Sequence, residues 1–182
     1  MSRIPLISAA ETTGERQQLL SQIQGAFGVT PAMFRAVANS TAALKSMWSS
    51  FGALGSGVIA PKLAEQIAVA VADRNACNYC LAAHTMLGRK AGASAEEMAS
   101  AQRGESADAQ TAAALRFAIQ LVEARGQVSA ADVQALRDAG FDDEQIVEIV
   151  AHVALNLFTN YVNLAFDVPV DFPAVRLQRQ VA

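Results

Sequence analysis

Two cysteines, Cys77 and Cys80, stand in the run Cys77-Asn78-Tyr79-Cys80, and the chain has no others. Paired thiols at this spacing do one of two things: they cycle through a disulfide or they hold a metal ion. His84 follows Cys80 by four residues and Cys77 by seven, so on a helix all three side chains project from one face. An imidazole so placed takes a thiol proton, or stabilises the thiolate as the imidazolium. The pair also falls at the expected first turn of a helix, where the macrodipole favours negative charge. Glu65 interrupts an otherwise apolar stretch, Leu63 to Ala72, on the preceding helix. Along one continuous helix its twelve residues to Cys77 would span roughly 18 Å. A reversal of the chain at 74–77 would lay the two helices side by side and put Glu65 within about a turn of His84. A carboxylate there orients the imidazole and raises its basicity, which completes a nucleophile, base and orienter.

Rival uses of the same residues are open to inspection. Zinc could draw three ligands from Cys77, Cys80 and His84, with Glu65 or the distant His152 as a fourth. The chain has no second CxxC or histidine pair to make that set convincing, so no metal is expected. A thioredoxin fold is excluded because no strand–helix–strand pattern surrounds the motif. A further stripe, His152, Asn156, Asn160 and Asn163, recurs at i, i+4, i+8 and i+11 in apolar surroundings. Such groups are ordinarily satisfied between packed helices. Alternatively they line the site or hold a water near Glu65, with His152 and Asn156 the members to watch.

The elements that must position these groups read as helices. Apolar spacing at i, i+3, i+4 and i+7 recurs along most of the chain, while sustained alternation is scarce. The pattern predicts helices over 13–27, 31–39, 41–54, 61–76, 78–90, 107–124, 129–139 and 142–166. Ser94 with Glu97 forms a capping box for a short one between them. Gly28, Gly92, Gly126 and Gly140 fall where a left-handed residue ends a helix. The tail from Val168, with Pro169 and Pro173, reads as extended and packed on the surface or on a neighbour. No repeat or linker divides residues 1–182, so one all-α domain is expected, with its core motif at 61–92.

Composition agrees and excludes other classes. Of 182 residues 52% are hydrophobic and 17% charged, with 11 Gly and 5 Pro, which favours an extensive helical core over disorder. So few charges also suggest apolar surface covered by a partner subunit. The net charge of −3 and the lack of a basic block argue against nucleic acid. Glu11 and Glu15 interrupt any signal-like apolar run, and two cysteines are too few for a secreted disulfide framework. A cytoplasmic setting is expected. The uncharged stretch Ile149 to Phe166 nearly matches a membrane span in length, but its histidine and asparagines suit a buried protein helix.

The spacing Glu65-x11-Cys77-x-Tyr79-Cys80-x3-His84 resembles the signature of AhpD-like alkylhydroperoxidases, within the carboxymuconolactone decarboxylase superfamily. The segments Asn156 to Asn163 and Val170-Asp171-Phe172-Pro173 look like the C-terminal part of the peroxidase-related branch. The resemblance implies an all-helical bundle assembled as homotrimers or homohexamers, and a cysteine pair that reduces hydroperoxides without a cofactor. By matching position, Cys80 is the peroxidatic thiol, Cys77 the resolving thiol, His84 the base and Glu65 the relay carboxylate. An external dithiol of unknown identity must regenerate the pair. Tyr79 stands where AhpD has a second histidine, and a tyrosine is no base at neutral pH. Two other functions stay open: a redox sensor or scaffold with little turnover, and a lactone decarboxylase-type enzyme.

Overall fold

A computed structural model of the protein describes residues 2–178. Among these residues there is no β-strand, and nine helices form a single bundle. They are α1 (Gly14–Phe27), α2 (Ala32–Val37), α3 (Thr41–Gly55), α4 (Pro61–Arg74), α5 (Asn78–Lys90), α6 (Ala95–Arg103), α7 (Ala109–Glu123), α8 (Ala130–Asp138) and α9 (Asp143–Ala165). The starts are chemically marked. Ser40, Ser94, Asp108, Ser129 and Asp142 each accept a hydrogen bond from a backbone N–H of the first turn, and Pro61 opens α4. Each such cap stabilises by about 1 kcal/mol. Helix ends agree with the sequence expectation to within a residue or two, apart from a short 3-10 turn at Ala9–Glu11, held by Ser8 and Glu11, that no periodicity announced.

At the centre lies α4, which packs on α5, α6, α7 and α9. Every residue from Gln66 to Asp73 is buried, so the helix has no solvent face over two turns. Its Ala and Val side chains are small enough for neighbours to close in from all sides. The polar Asp73 is admitted because it accepts hydrogen bonds from Gln102 Nε2 at 2.7 Å and from Gln178 N at 2.8 Å. These contacts pin the extended tail after α9 across the end of α4, so the tail packs on its own chain. The loop between α3 and α4 is clamped too: both carboxylate oxygens of Glu148 on α9 accept from Val58 N, at 2.8 and 3.0 Å. Gly57 is required there, since a Cβ would collide with that carboxylate. No helix among the described residues is long and apolar enough to cross a membrane.

Candidate functional site

The site begins with how α4 ends. Asn75 leaves the helix, Ala76 takes a left-handed conformation (φ 54°), and the chain turns back. Cys77 N donates to Ala72 O at 2.9 Å and Ala76 N to Asp73 O at 3.1 Å, the paired bonds of a Schellman motif. The reversal lays α5 along α4 and leaves Cys77 as the N-cap of α5. The Cys77 sulfur accepts from Cys80 N at 3.3 Å, as a capping oxygen would.

Both thiols are unoxidised and buried, Cys77 at 1% and Cys80 at 2% exposure, with their sulfurs 2.7 Å apart. They differ in acidity. Burial pushes the Cys80 thiol up, but the hydrogen bond from Cys77, the charge of His84, and the amides of Asn163 and Asn160 outweigh it and hold it down at about 7. Cys77 is driven far above the ordinary thiol range, first because its proton is held in the bond to Cys80 and then by burial. The pair is therefore one proton donor and one thiol that ionises near neutral pH.

His84 projects from α5 one turn beyond Cys80, and its Nδ1 lies 2.8 Å from Glu65 Oε2 across the α4–α5 contact. Burial alone would depress the imidazole. The Glu65 carboxylate and the nearby Cys80 overcome this and raise it. Gly88, one turn further on, keeps the two helices this close: a Cβ there would press on Met98 and come within 3.3 Å of the Glu65 Cβ.

The C-terminal elements complete the surroundings. Asn163 Nδ2 donates to Cys80 Sγ at 3.2 Å, and Asn75 Nδ2 donates to Asn160 Oδ1 at 2.9 Å, which turns the Asn160 NH2 away from Asn75. Asp171 Oδ2 accepts from Tyr79 Oη at 2.8 Å and from Ala32 N at 2.6 Å, and Phe172 packs edge-on to the Tyr79 ring. A narrow cleft of about 50 Å³ opens onto Cys80 and His84, lined by Phe27, Phe34, Phe51 and Phe172 among others. Among the described residues, no three His, Cys, Asp or Glu side chains converge as metal ligands would.

Comparison with known proteins bears on this arrangement. Residues 42–124, which carry the whole α4–α5 hairpin, match the carboxymuconolactone decarboxylase family. The AhpD core of an uncharacterised peroxidase-related protein from Ralstonia eutropha JMP134 superposes with a TM-score of 0.84 at 26% identity, over 93% of this chain and 92% of that one. The family match and the structural neighbour support the AhpD-like carboxymuconolactone decarboxylase superfamily. A second solved structure, an uncharacterised peroxidase-related protein from Silicibacter sp. TM1040, gives a TM-score of 0.81 at 26% identity over 92% and 91% of the two chains. The debrominase Bmp8, solved with 2,3,4-tribromopyrrole, shares the fold with a TM-score of 0.78 at 17% identity, over 93% and 91%. No curated protein sequence matches the chain. The family match suggests peroxide-related or decarboxylase-type chemistry, and the single-domain helical bundle matches that of the AhpD-like neighbours.

Of the residues singled out in the sequence, Glu65, Cys77, Cys80 and His84 lie together. Tyr79 is close by but turned aside: its hydroxyl donates to Asp171 and accepts from Met33 N at 3.3 Å, and burial pushes its ionisation far above the phenol range. Asn156 bonds back to the His152 carbonyl on its own helix, and His152 faces a different cavity, beyond Glu65. The amides that face the thiols are the later two of the stripe, Asn160 and Asn163, which the sequence reading noted without choosing. Their signal was an amide spacing of four and seven residues on from Asn156, which ties them to one face of α9 but not to a partner. Nothing local marked Asp171 as the acceptor for Tyr79.

Proposed function

We propose that this protein is a thiol-dependent hydroperoxide reductase in which Cys80 is the nucleophile and Cys77 resolves it. The observation that carries this is the split acidity of two touching sulfurs, with the lowered thiol one turn from a histidine paired to Glu65. The Cys80 thiolate attacks the terminal peroxide oxygen, so that an S–O bond forms and the O–O bond breaks. The departing alkoxide takes a proton from the His84 imidazolium and leaves as an alcohol. Cys77 then attacks the sulfenic sulfur; the S–S bond forms, the S–O bond breaks, and hydroxide leaves as water with the proton Cys77 gives up. An external dithiol supplies the two electrons that reopen the disulfide. The aromatic walls of the cleft suit a hydroperoxide with an apolar organic group. Such a cycle belongs in a reducing compartment, and we assign the protein to the cytoplasm.

Peroxide consumption with a dithiol present is the direct test. Cys80→Ser should abolish it, whereas Cys77→Ser should allow one equivalent of oxidation per chain and no turnover. A wild type that oxidises once and does not cycle would favour a redox sensor. Activity on a lactone that survives loss of both cysteines would favour the decarboxylase-type chemistry of the superfamily.

We also propose that the protein is a homo-oligomer, a trimer or hexamer, joined through the outer face of α9. Val147, Val150, Phe158, Tyr161 and Leu164 form an exposed apolar line along it, with Val147 67% and Tyr161 60% exposed. An interface core is where such residues are usually found. Light scattering at micromolar concentration should give a multiple of the 19.1 kDa chain mass. A monomer would overturn the assignment.

A further inference from the structure

His84 has two sides. One faces the aromatic cleft with Cys80, and the other, with Glu65, lines a separate cavity of about 190 Å³ at the back of α4 and α5. The back cavity is walled by Phe51 and Leu54 from α3 and closed by His152 and Asn156 from α9. His152 is only 8% exposed, and its Nε2 has no hydrogen-bond partner. That nitrogen is free of protein partners and faces the cavity, where it can take up or give a proton. The groups acting on it are Glu148 on its own helix, Glu65 on α4 and His84 on α5, while α3 offers the cavity no ionisable side chain.

We infer that the back cavity is the proton port of the site, and that His152 passes protons between Glu65 and solvent while the front cleft admits the peroxide. The inference rests on the proposed chemistry of Cys80, and it answers a need of that chemistry. When the apolar front cleft is filled by substrate, water is shut out on that side of the imidazole. His84 uses Nδ1 to bind Glu65, so a proton reaches or leaves the ring on that side through the carboxylate. Beyond the carboxylate, the next ionisable group lining the cavity is His152. Burial pushes its imidazole below the ordinary range, against the pull of Glu148 and Glu65. The neutral ring at pH 7 has one nitrogen to accept a proton and one to give it. His152 acts through Glu65 and does not touch the reacting atoms.

The test is the temperature-jump relaxation of the Cys80 thiolate, followed by its ultraviolet absorbance in the full-length protein with the front cleft filled by a saturating alkyl alcohol, the product of an apolar hydroperoxide, so that no peroxide is needed. His152→Ala should slow this relaxation by an order of magnitude or more. Added imidazole should restore it with saturation, because the back cavity is large enough to take the ring. His152→Gln, which keeps the volume and loses the titration, should be equally slow and should not be rescued. Leu155→Phe, which narrows the cavity without touching His152, should slow relaxation in part. Melting temperatures separate these effects from misfolding, and Leu155→Phe stands alone if both His152 variants fail to fold. An unchanged relaxation in the folded variants, or a loss in His152→Ala that imidazole does not repair, would overturn the port. A wild type that relaxes normally but consumes no peroxide would instead sink the peroxidase function and leave the port standing.

Discussion

Glu65, Cys77, Cys80 and His84 come from one hairpin, α4 and α5, whereas Asn160, Asn163, Asp171 and Phe172 come from the distant α9 and the tail. The hairpin carries the groups that exchange protons and electrons with the substrate. The C-terminal limb carries amides, a carboxylate and a ring that change none of their own bonds in the proposed cycle. Asn163 joins the two at the sulfur itself: it donates through its side chain to Cys80 while its carbonyl accepts from Val168 N at 3.0 Å, ending α9. The limb thus sets the electrostatic surroundings of a sulfur that the hairpin supplies.

If that division holds, the largest effects belong to the hairpin. His84→Gln should slow the reaction of Cys80 with hydroperoxide by roughly 10²–10⁴-fold, as loss of a general acid–base does. Glu65→Gln should cause a smaller loss, and in the His84→Gln background it should add little, because the base it serves is gone. Second-order peroxide rates and melting temperatures for the two single variants and the double variant measure this. Additive losses would mean that Glu65 acts on something other than His84.

A smaller effect is expected from the limb. Asn163→Leu removes a hydrogen bond to a charged acceptor, worth roughly 1.5–3 kcal/mol, which corresponds to about one to two pH units. Hydrogen bonds to a thiolate favour the ionised form, so their loss moves the pKa up. Cys80, held at about 7, should become reactive only in more alkaline solution, while its limiting rate at high pH stays near that of the wild type. Alkylation rate against pH reads both. Asn163→Asp should shift the profile further, since it sets a negative charge against the thiolate. A lowered limiting rate with an unmoved midpoint would place Asn163 among the reacting groups and break the comparison.

The two regions also differed in how far they could be read in advance. Cys77, Cys80 and His84 share one helix, where the spacing of 3.6 residues per turn fixes which side chains meet. Glu65 needed only one assumption, a reversal at 74–77, which Ala76 supplies. The stripe on α9 was visible as a face, but a face carries no address. That Asn163 reaches Cys80 while Asn156 turns back to His152 depends on the rotation of α9 against α4 and α5, which no single helix encodes. Asp171 lay further from view, because an extended segment has no periodicity from which to infer its neighbours. The helices and their caps were legible for the opposite reason, being set by residues within one turn of each boundary.

The smallest expected effect concerns the turns that end α4 and α9, which use the same geometry with different residues. After α4, Ala76 holds φ 54°; after α9, Asp167 holds φ 50°, with Val168 N bonded to Asn163 O as Cys77 N is to Ala72 O. A left-handed residue with a Cβ is strained by roughly 1–2 kcal/mol, less for Asp, whose short polar side chain can bond locally. Glycine removes the strain but widens the unfolded ensemble, which returns about 0.4–1 kcal/mol. Ala76→Gly should therefore stabilise by up to about 1 kcal/mol, or roughly 2–4 °C for a chain of this size. Asp167→Gly should be close to neutral. Calorimetry on both, with Cys80 alkylation as a control, distinguishes the outcomes. If Ala76→Gly raises the melting temperature and leaves alkylation unchanged, the strain before Cys77 is structural cost alone. If it lowers Cys80 reactivity, the alanine keeps the hairpin stiff enough to hold the thiols in register.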